Sequence, residues 1–238
     1  MLSIQHLTKI YKGGKKAVSD VSLTVNAGDI CAFIGHNGAG KTSTIKCVVG
    51  IHDFDEGEIL INGMSVKEQP LACKQITAYI PDNPDLYEYL TGIQYLNFIA
   101  DVFGVSVGHR EKRIEKYAGL FEITPSLGDL ISSYSHGMKQ KLAIISALVH
   151  EPKLLLLDEP FVGLDPKAAV ILKDIMRETC KNGGAIFFST HVLDVAEKLC
   201  NKVAIVKDGT LVTSGNMEEI VKEGRSLESI FMEVVDNV

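Results

Sequence analysis

One nine-residue segment, GHNGAGKTS at residues 35–43, constrains the fold more than any other part of the chain. It matches the pattern G-x-x-x-x-G-K-[ST] in full. The apolar run ICAFIG leads into it and predicts a strand buried on both faces. The run KTSTIKCVVG predicts a short helix that ends at Gly50. A strand, a glycine-rich turn and a helix in this order indicate an α/β fold with parallel strand pairing.

The residue types in this segment suit the binding of phosphate groups. Gly35, Gly38 and Gly40 let backbone N–H groups turn toward phosphate oxygens without Cβ clashes. Lys41 supplies positive charge to terminal phosphates, and Thr42 offers a hydroxyl to Mg²⁺. A turn that merely happens to be rich in glycine is the alternative, and the complete pattern in its strand–helix setting argues against it.

Composition and charge exclude several classes of protein. Hydrophobic residues make up 46% of the 238 residues and charged residues 23%, so the chain can bury a sizeable core. The formal net charge of −6 argues against a broad basic face, and we expect no nucleic-acid partner. Five widely spaced cysteines without a Cys-x-x-Cys pair predict reduced thiols in a cytoplasmic protein, several of them serving as small core residues.

No segment predicts a membrane span. The start, MLSIQHLTKIY, lacks a basic stretch followed by an apolar run, so we expect no signal peptide. The most apolar segments, IISALV and LLLL, are far shorter than the roughly 20 residues needed to cross a bilayer. We therefore expect a protein that does not itself cross a membrane, although it can act on one.

The periodicity of apolar residues changes twice along the chain. Strand patterns dominate up to YIPDNP, and helical periodicity takes over from about residue 86 to 150. KLLLLDEP and GGAIFFST then restore buried strands, with a helix between them. The simplest architecture is one α/β core interrupted by a helical insertion. A closing hairpin with its turn at Asp208-Gly209 and an amphipathic helical tail follow.

The run LLLLDEP carries a second element of chemistry. A buried strand delivers Asp158 and Glu159 at its carboxyl end, beside the phosphate loop in such a fold. Asp158 suits the coordination of Mg²⁺, and Glu159 is placed to polarise a water that attacks a γ-phosphate. An Asp-Glu pair after an apolar run is usually only a strand end, but the phosphate loop in the same chain favours the functional interpretation.

Five segments stand in order along the chain: the phosphate loop, YSHGMKQK, LLLLDEP, GLDP and FFSTH. Their order and spacing resemble those of the nucleotide-binding subunits of ATP-binding cassette (ABC) transporters, to about residue 215. The resemblance implies a P-loop NTPase (RecA-like) α/β core with an antiparallel β subdomain and a helical insertion subdomain. It assigns residues 1–82 and 152–215 to the core, 83–151 to a helical signature subdomain and 216–238 to a C-terminal helical tail.

The resemblance implies an ATPase that binds ATP with Mg²⁺ and powers transport through a separate integral membrane subunit. In the family, two nucleotide-binding subunits pair head to tail and trap two ATP molecules. Whether the second subunit is another copy or a related chain stays open. The expected location is cytoplasmic, peripheral on the inner face of the cell membrane.

Two alternatives belong to other functional classes. One is a soluble ABC-type ATPase of a non-transport machine, although the chain has neither a long coiled-coil insertion nor a second cassette. The other is a small-molecule kinase with a phosphate loop, which fails to explain YSHGMKQK followed by LLLLDEP.

The resemblance also implies roles for single residues. ATP is expected to contact Tyr11, Gly35, Asn37, Gly38, Ala39, Gly40, Lys41, Thr42 and Ser43. Catalysis is expected from Glu159, His191 and Lys41, and Mg²⁺ binding from Thr42, Asp158 and Asp82. Tyr11 would stack on adenine and His191 would contact the γ-phosphate. A half-buried strand tyrosine and a structural histidine are the alternatives.

YSHGMKQK resembles the family's signature segment, which caps the ATP held by the partner subunit's phosphate loop. Ser135, His136, Gly137 and Met138 would act on that ATP through a hydroxyl, backbone N–H groups and the helix dipole. Met138 stands where glutamine is commonest and lacks its amide. An ordinary helix N-cap at Ser135 is compatible with this role. Asp165 in GLDP would link the two ATP sites, or simply occupy a turn before a proline.

Asp82, in YIPDNPDLYEYLTG, stands where most family members carry glutamine. An acidic residue here resembles bacterial exporters with separate membrane subunits, so we expect export and a contact with Mg²⁺ through water. The family's groove for a helix of the membrane subunit would lie beside Tyr87, Tyr89, Tyr95 and Phe98. Core packing of the insertion explains these aromatic residues equally well.

Overall fold

The computed structural model describes residues 1–221 and 225–236. The strands of this part are β1 (Leu2–Ile10), β2 (Lys16–Val25), β3 (Ile30–Ile34), β4 (Glu56–Ile61), β5 (Met64–Ser65), β6 (Thr77–Ile80), β7 (Leu154–Asp158), β8 (Ala185–Thr190), β9 (Lys202–Lys207) and β10 (Thr210–Asn216). The helices are α1 (Lys41–Val48), α2 (Pro70–Gln75), α3 (Gly92–Val102), α4 (Val107–Leu120), α5 (His136–Leu148), α6 (Pro166–Lys181), α7 (Leu193–Leu199), α8 (Met217–Ile220) and α9 (Leu227–Asp236).

The larger sheet has the strand order β10-β9-β3-β8-β7-β6. Pairing is parallel from β9 through β6, whereas β10 pairs antiparallel with β9 and so confirms the predicted hairpin. Strands β3, β7 and β8 are buried along their whole length because helices cover one face of the sheet, and α1 with the smaller sheet covers the other. The carboxyl ends of these three strands therefore meet at one edge, beside the phosphate loop.

The smaller sheet is antiparallel, with the order β2-β1-β4-β5. Alternating residues of its strands, such as Leu2, Ile4 and Leu23, are buried in one core with Phe33 of β3 and Ile45 of α1. The helix that follows the phosphate loop is thereby held between the two sheets. This packing fixes the loop relative to both of them.

Helices replace strands between β6 and β7, as the periodicity predicted. Residues 81–153 contribute no strand to either sheet and contain α3, α4, α5 and two 3-10 turns. Helix α3 begins with a capping box, in which the Thr91 side chain accepts from the Gln94 backbone and the Gln94 side chain accepts from the Thr91 backbone. The exact division between core and insertion, at residues 82/83 and 151/152, stays a prediction.

The described part of the C-terminal tail is helical. Leu227 and Ile230 of α9 are buried in the larger core, and the Glu197 carboxylate of α7 accepts from the Leu227 N–H at 2.8 Å. Residues 222–224 and 237–238 of the predicted tail lie outside the described residues. Among the described helices, none has the length and apolar composition required to cross a membrane.

The five cysteines are buried free thiols, which confirms their predicted role as core residues. Burial raises the pKa of Cys31 to about 12 and that of Cys47 to about 11. Both thiols therefore stay protonated at neutral pH and behave as small apolar side chains.

Candidate active site

The phosphate loop connects the end of β3 to the start of α1 and is packed too tightly for larger residues at two positions. A Cβ at Gly35 would lie 2.5 Å from the Val206 carbonyl oxygen, and one at Gly40 would lie 2.4 Å from the Ala17 carbonyl oxygen. The Gly40 backbone also has a φ of +102°, a conformation that favours glycine. Two of the predicted glycines are therefore required by the fold itself.

Lys41 holds its side chain inside the loop. Its Nζ donates to the carbonyl oxygens of Gly35 at 2.7 Å and His36 at 3.2 Å, and it lies 3.9 Å from Glu159 Oε1. Burial lowers the pKa of Lys41, while the nearby Glu159 and Asp158 carboxylates act in the opposite direction. The Lys41 ammonium group is largely shielded from water, and phosphate oxygens could replace the loop carbonyl oxygens as its hydrogen-bond acceptors.

A cavity of about 380 Å³ opens above the loop. Ten of the residues predicted to bind ATP or Mg²⁺ or to act in hydrolysis line it: Tyr11, Asn37, Gly38, Gly40, Lys41, Thr42, Ser43, Asp82, Asp158 and Glu159. Lys15 and Ala17 also line it and were not predicted. Gly35 and Ala39 also belong to the loop, but they are buried and do not line the cavity. The sequence thus identified most of the wall of one cavity.

Asp158 and Glu159 stand at the carboxyl end of β7, as predicted. Asp158 is 1% exposed, and its Oδ1 accepts a hydrogen bond from the Ser189 hydroxyl. The Glu159 N–H donates to the same hydroxyl at 3.0 Å, and the Glu159 backbone has a positive φ of 47°. His191 follows β8 and places Nδ1 3.0 Å from Glu159 Oε1. Sequence reasoning missed Ser189, whose one signal is a hydroxyl inside the apolar run AIFFST.

The cavity has oxygen ligands that suit Mg²⁺. Asp158 Oδ2 is buried and has no hydrogen-bond partner, which is costly for a carboxylate oxygen unless a cation is bound there. Thr42 and Asp82 line the same cavity. Among the described residues, no group of three or more His, Cys, Asp or Glu side chains forms a metal cage. Mg²⁺ is usually held by one or two carboxylates together with phosphate oxygens and waters, and Asp158 and Asp82 are two carboxylates of this cavity.

Tyr11 follows β1 at the mouth of the cavity and is half-buried. Its hydroxyl lies 3.1 Å from Ser43 Oγ, and its ring meets the His52 ring edge-on with centroids 5.7 Å apart. The hydroxyl and the imidazole fix the orientation of the ring. The predicted stacking on adenine is compatible with this position.

The signature residues lie away from this cavity, at the start of α5. Ser135 is the N-cap residue, and its exposed side chain accepts from the Met138 N–H at 3.3 Å. His136 lies against Gly163, where a Cβ would approach its ring to 2.6 Å. A Cβ at Gly137 would lie 3.0 Å from the Gly163 carbonyl oxygen. The signature is therefore packed against the loop that contains GLDP.

Asp165 caps α6 and pairs with a lysine of α5. Its Oδ1 accepts from the Ala168 N–H at 2.8 Å, and its Oδ2 lies 2.7 Å from Lys141 Nζ. The hydrogen bond from Lys141 is the main reason why the pKa of Asp165 is lowered. Lys141 was not singled out from the sequence, because the two residues are brought together only by the packing of α5 against this loop.

The aromatic residues after β6 form one surface group, in which the Tyr87 ring contacts those of Tyr89, Tyr95 and Phe98 with centroids 5.7–6.1 Å apart. Tyr89 is 76% exposed, whereas Tyr95 packs against the core. Lys139 of α5 forms an ion pair with Glu88 inside this segment. The group is thus partly core packing and partly exposed surface.

A phosphate loop between a parallel strand and a helix, with carboxylates at a neighbouring strand end, defines a P-loop nucleoside triphosphatase. The family model described as ABC transporter matches residues 18–162. The chain belongs to this family and is an ATP-hydrolysing subunit of an ABC transporter. The predicted α/β P-loop fold is confirmed, and the soluble non-transport machine is not favoured.

Relatives and solved structures agree with this assignment over nearly the whole chain. The ABC-type transporter ATP-binding protein EcsA of Bacillus subtilis is 34% identical over 98% of this chain and 96% of its own length. A solved ATP-binding subunit of an ABC transporter has a TM-score of 0.94 and 35% identity, covering 98% of this chain and 99% of that one. CbiO1 of Clostridium perfringens, part of the ABC transporter complex cbiONQ, has a TM-score of 0.79 and 25% identity, covering 98% and 93%.

Proposed function

We propose that this ATPase works as one of two paired cassettes that drive export through a separate integral membrane subunit. The observation that carries the pairing is the separation of the two phosphate-binding elements. The phosphate loop lines the cavity together with Asp158 and Glu159, whereas Ser135 lies on the exposed start of α5 and outside the lining. Head-to-tail pairing of two chains would bring each signature onto the partner's phosphate loop.

Residues of the cavity and His191, which lies outside the cavity lining beside Glu159, would have separate roles in hydrolysis. Glu159 would act as general base toward the attacking water, with His191 at 3.0 Å to orient its carboxylate. Lys41 would offset charge on the terminal phosphates. ATP that binds the paired state more tightly than the separate chains would close the dimer, and loss of the γ-phosphate contacted by Ser135 and His191 would open it again.

Mg²⁺ would be held by Asp158 and Thr42, with Asp82 reaching it through water. The partnerless Oδ2 of Asp158 supports the first assignment, and the positions of Thr42 and Asp82 on the same cavity wall support the others. When bound, the cation would offset the charge that develops on the phosphate oxygens. The test is the Mg²⁺ concentration that gives half-maximal ATP hydrolysis, measured for the unmodified chain and for Asp82→Ala. Equal concentrations in the two proteins would show that Asp82 does not help to hold Mg²⁺.

The exposed aromatic residues support a protein partner beside the helical region. Tyr87 and Tyr89, 46% and 76% exposed, offer the large amphipathic rings typical of interface anchors. We assign this surface to a cytoplasmic helix of the membrane subunit, which would place the chain peripherally on the membrane's inner face. The acidic residue at Asp82 and the YSHGM form of the signature resemble exporters and favour that direction.

Affinity purification from membranes tests the partner. A Glu159→Gln variant should hydrolyse ATP at least ~10²-fold more slowly and still bind it, because only the general base is removed. With ATP and Mg²⁺ present, this variant should retain a stoichiometric polytopic membrane protein from detergent-solubilised host membranes. Recovery of soluble complexes alone would overturn the transport assignment.

A matched pair of surface variants sharpens the same experiment. Adding Tyr89→Ala to Glu159→Gln should lower the recovery of the membrane partner, since an exposed anchor is removed. Adding Val107→Ala, at an exposed apolar position at the start of α4, should leave the recovery unchanged. Equal losses in both variants would remove the aromatic group from the docking surface.

A further inference from the structure

One hydroxyl connects the two carboxylate residues of the active site. Ser189 of β8 is 0% exposed and stands directly opposite Asp158 in the parallel β7–β8 register. Its Oγ donates to Asp158 Oδ1 and accepts the Glu159 N–H at 3.0 Å. Ser189 Oγ therefore contacts both carboxylate residues at once.

The direction of these hydrogen bonds is fixed by chemistry. A backbone N–H can only donate, so the Ser189 oxygen must accept from Glu159. An ionised carboxylate can only accept, so the single hydroxyl proton goes to Asp158 Oδ1. Asp158 Oδ2 is left buried without a partner. The hydroxyl thus occupies one carboxylate oxygen and leaves the other for a cation.

The same hydroxyl holds a strained part of the backbone. Glu159 has a φ of +47°, which an L-residue adopts only when its surroundings enforce it. Its N–H is tied to Ser189, and its side chain meets His191 at 3.0 Å just beyond the same strand. The end of β8 therefore fixes both the backbone and the carboxylate of Glu159.

We propose that Ser189 is a positioning residue that sets how strongly Mg²⁺ supports ATP binding and how accurately Glu159 is aimed. This rests on the proposed function, in which Asp158 holds Mg²⁺ and Glu159 is the general base. Ser189 acts through those two residues. Hydrogen-bond partners of metal ligands typically change metal affinity or activity by about 10–100-fold when they are removed.

Threonine and valine provide a matched test, because they differ only in a hydroxyl against a methyl group. The affinity of a fluorescent ATP analogue is measured for Ser189→Thr, Ser189→Val and Ser189→Ala, with Mg²⁺ and with a chelator. We expect the gain in affinity from Mg²⁺ to be close to that of the unmodified chain in Ser189→Thr and at least ~10-fold smaller in Ser189→Val and Ser189→Ala. Affinity with the chelator should be the same in all four proteins.

Other results would overturn the proposal for Ser189. Equal Mg²⁺ gains in Ser189→Thr and Ser189→Val, or an unchanged gain in Ser189→Ala, would overturn the proposal. Loss of affinity in the chelator as well would show that Ser189 merely supports the fold, and would also overturn it. If the unmodified chain gained nothing from Mg²⁺, the assignment of Asp158 as a metal ligand would fail first and Ser189 with it.

Discussion

Two helices begin where phosphate binding is expected, and they treat the unpaired N–H groups of their first turns differently. Helix α1 has Gly40 as its N-cap residue and no side-chain cap, so its N–H groups face the cavity of the phosphate loop. Helix α5 has Ser135, whose hydroxyl already accepts from the Met138 N–H. The first helix start has no side-chain cap, whereas the Ser135 side chain caps one N–H group of the second.

Their surroundings differ in the same sense. The start of α1 is gathered with Lys41, Asp158 and Glu159 into one cavity. The start of α5 is exposed at Ser135 and His136, and it packs against Gly163. Under the proposed function, a chain with one enclosed and one exposed phosphate element would be one half of a composite site. This difference is what supports pairing of two chains.

The largest effect is expected when the phosphate loop and the signature are inactivated in separate variants and the two variant proteins are then mixed. Lys41→Ala removes the cation of the phosphate loop, and Ser135→Asp keeps an N-cap but adds a charge that repels phosphate. Each variant alone should lose at least ~10²-fold in ATP hydrolysis. An equal mixture should regain about a quarter of normal activity, because half of the dimers are mixed and one of their two sites is intact. Phosphate release measures the recovery.

The control for mixing is nucleotide binding by each variant alone. Ser135→Asp should bind ATP as the unmodified chain does, whereas Lys41→Ala should bind it poorly. A mixture no more active than its two components would show that the phosphate loop and the signature do not combine across two copies of this chain.

A smaller effect separates capping from catalysis. Ser135→Ala and Thr91→Ala each remove the N-cap side chain of a helix in the same region, and each should cost about 1 kcal/mol in the free energy of unfolding. Only Ser135→Ala should also slow hydrolysis, by about 10-fold, because only that hydroxyl is assigned to phosphate. Urea titration and phosphate release measure the two quantities. Equal hydrolysis rates in Ser135→Ala and Thr91→Ala would show that Ser135 acts only as a helix N-cap.

The enclosed element could be predicted from the sequence far better than the exposed one. GHNGAGKTS is local, so spacing alone identifies its residues, and the position of Asp158 follows from the convergence of parallel strand ends. Ser189 depends on the β7–β8 register, which no local pattern encodes. Contacts between distant segments are the part that sequence reasoning misses.

Elements of the fold show the same limit. Most strands and the long helices were predicted from their apolar patterns, but the four-residue strand β6 was not. Helix α2 has only six residues, begins at a proline and was not predicted. A helix of fewer than two turns shows no measurable periodicity. Its position is set by packing beside β5 and β6 instead.

The smallest effect is expected for the ion pair of Lys141 in α5, which contrasts with that of Lys41 in α1. Lys41 and Lys141 each lie near a carboxylate that follows β7, but Lys41 and Glu159 are largely buried, whereas Asp165 beside Lys141 is half exposed. A double-mutant cycle with Asp165→Asn, which keeps the cap oxygen of α6, and Lys141→Gln should give a coupling of at most about 0.5 kcal/mol. Added salt should weaken it further.

The sign of its pH dependence follows from the direction of the pKa shift. Lys141 lowers the pKa of Asp165 in the folded chain below its ordinary value of 3.8, so the unfolded chain takes up the proton first as the solution is acidified. The coupling should therefore be complete above about pH 4 and disappear as the pH falls through the lower folded value. Urea unfolding of the four proteins at pH 7 and at successively lower pH measures this. A coupling that is absent at pH 7, or that grows in acid, would show that Lys141 does not stabilise the ionised form of Asp165, and the link between α5 and this loop would then rest on the packing of His136 against Gly163.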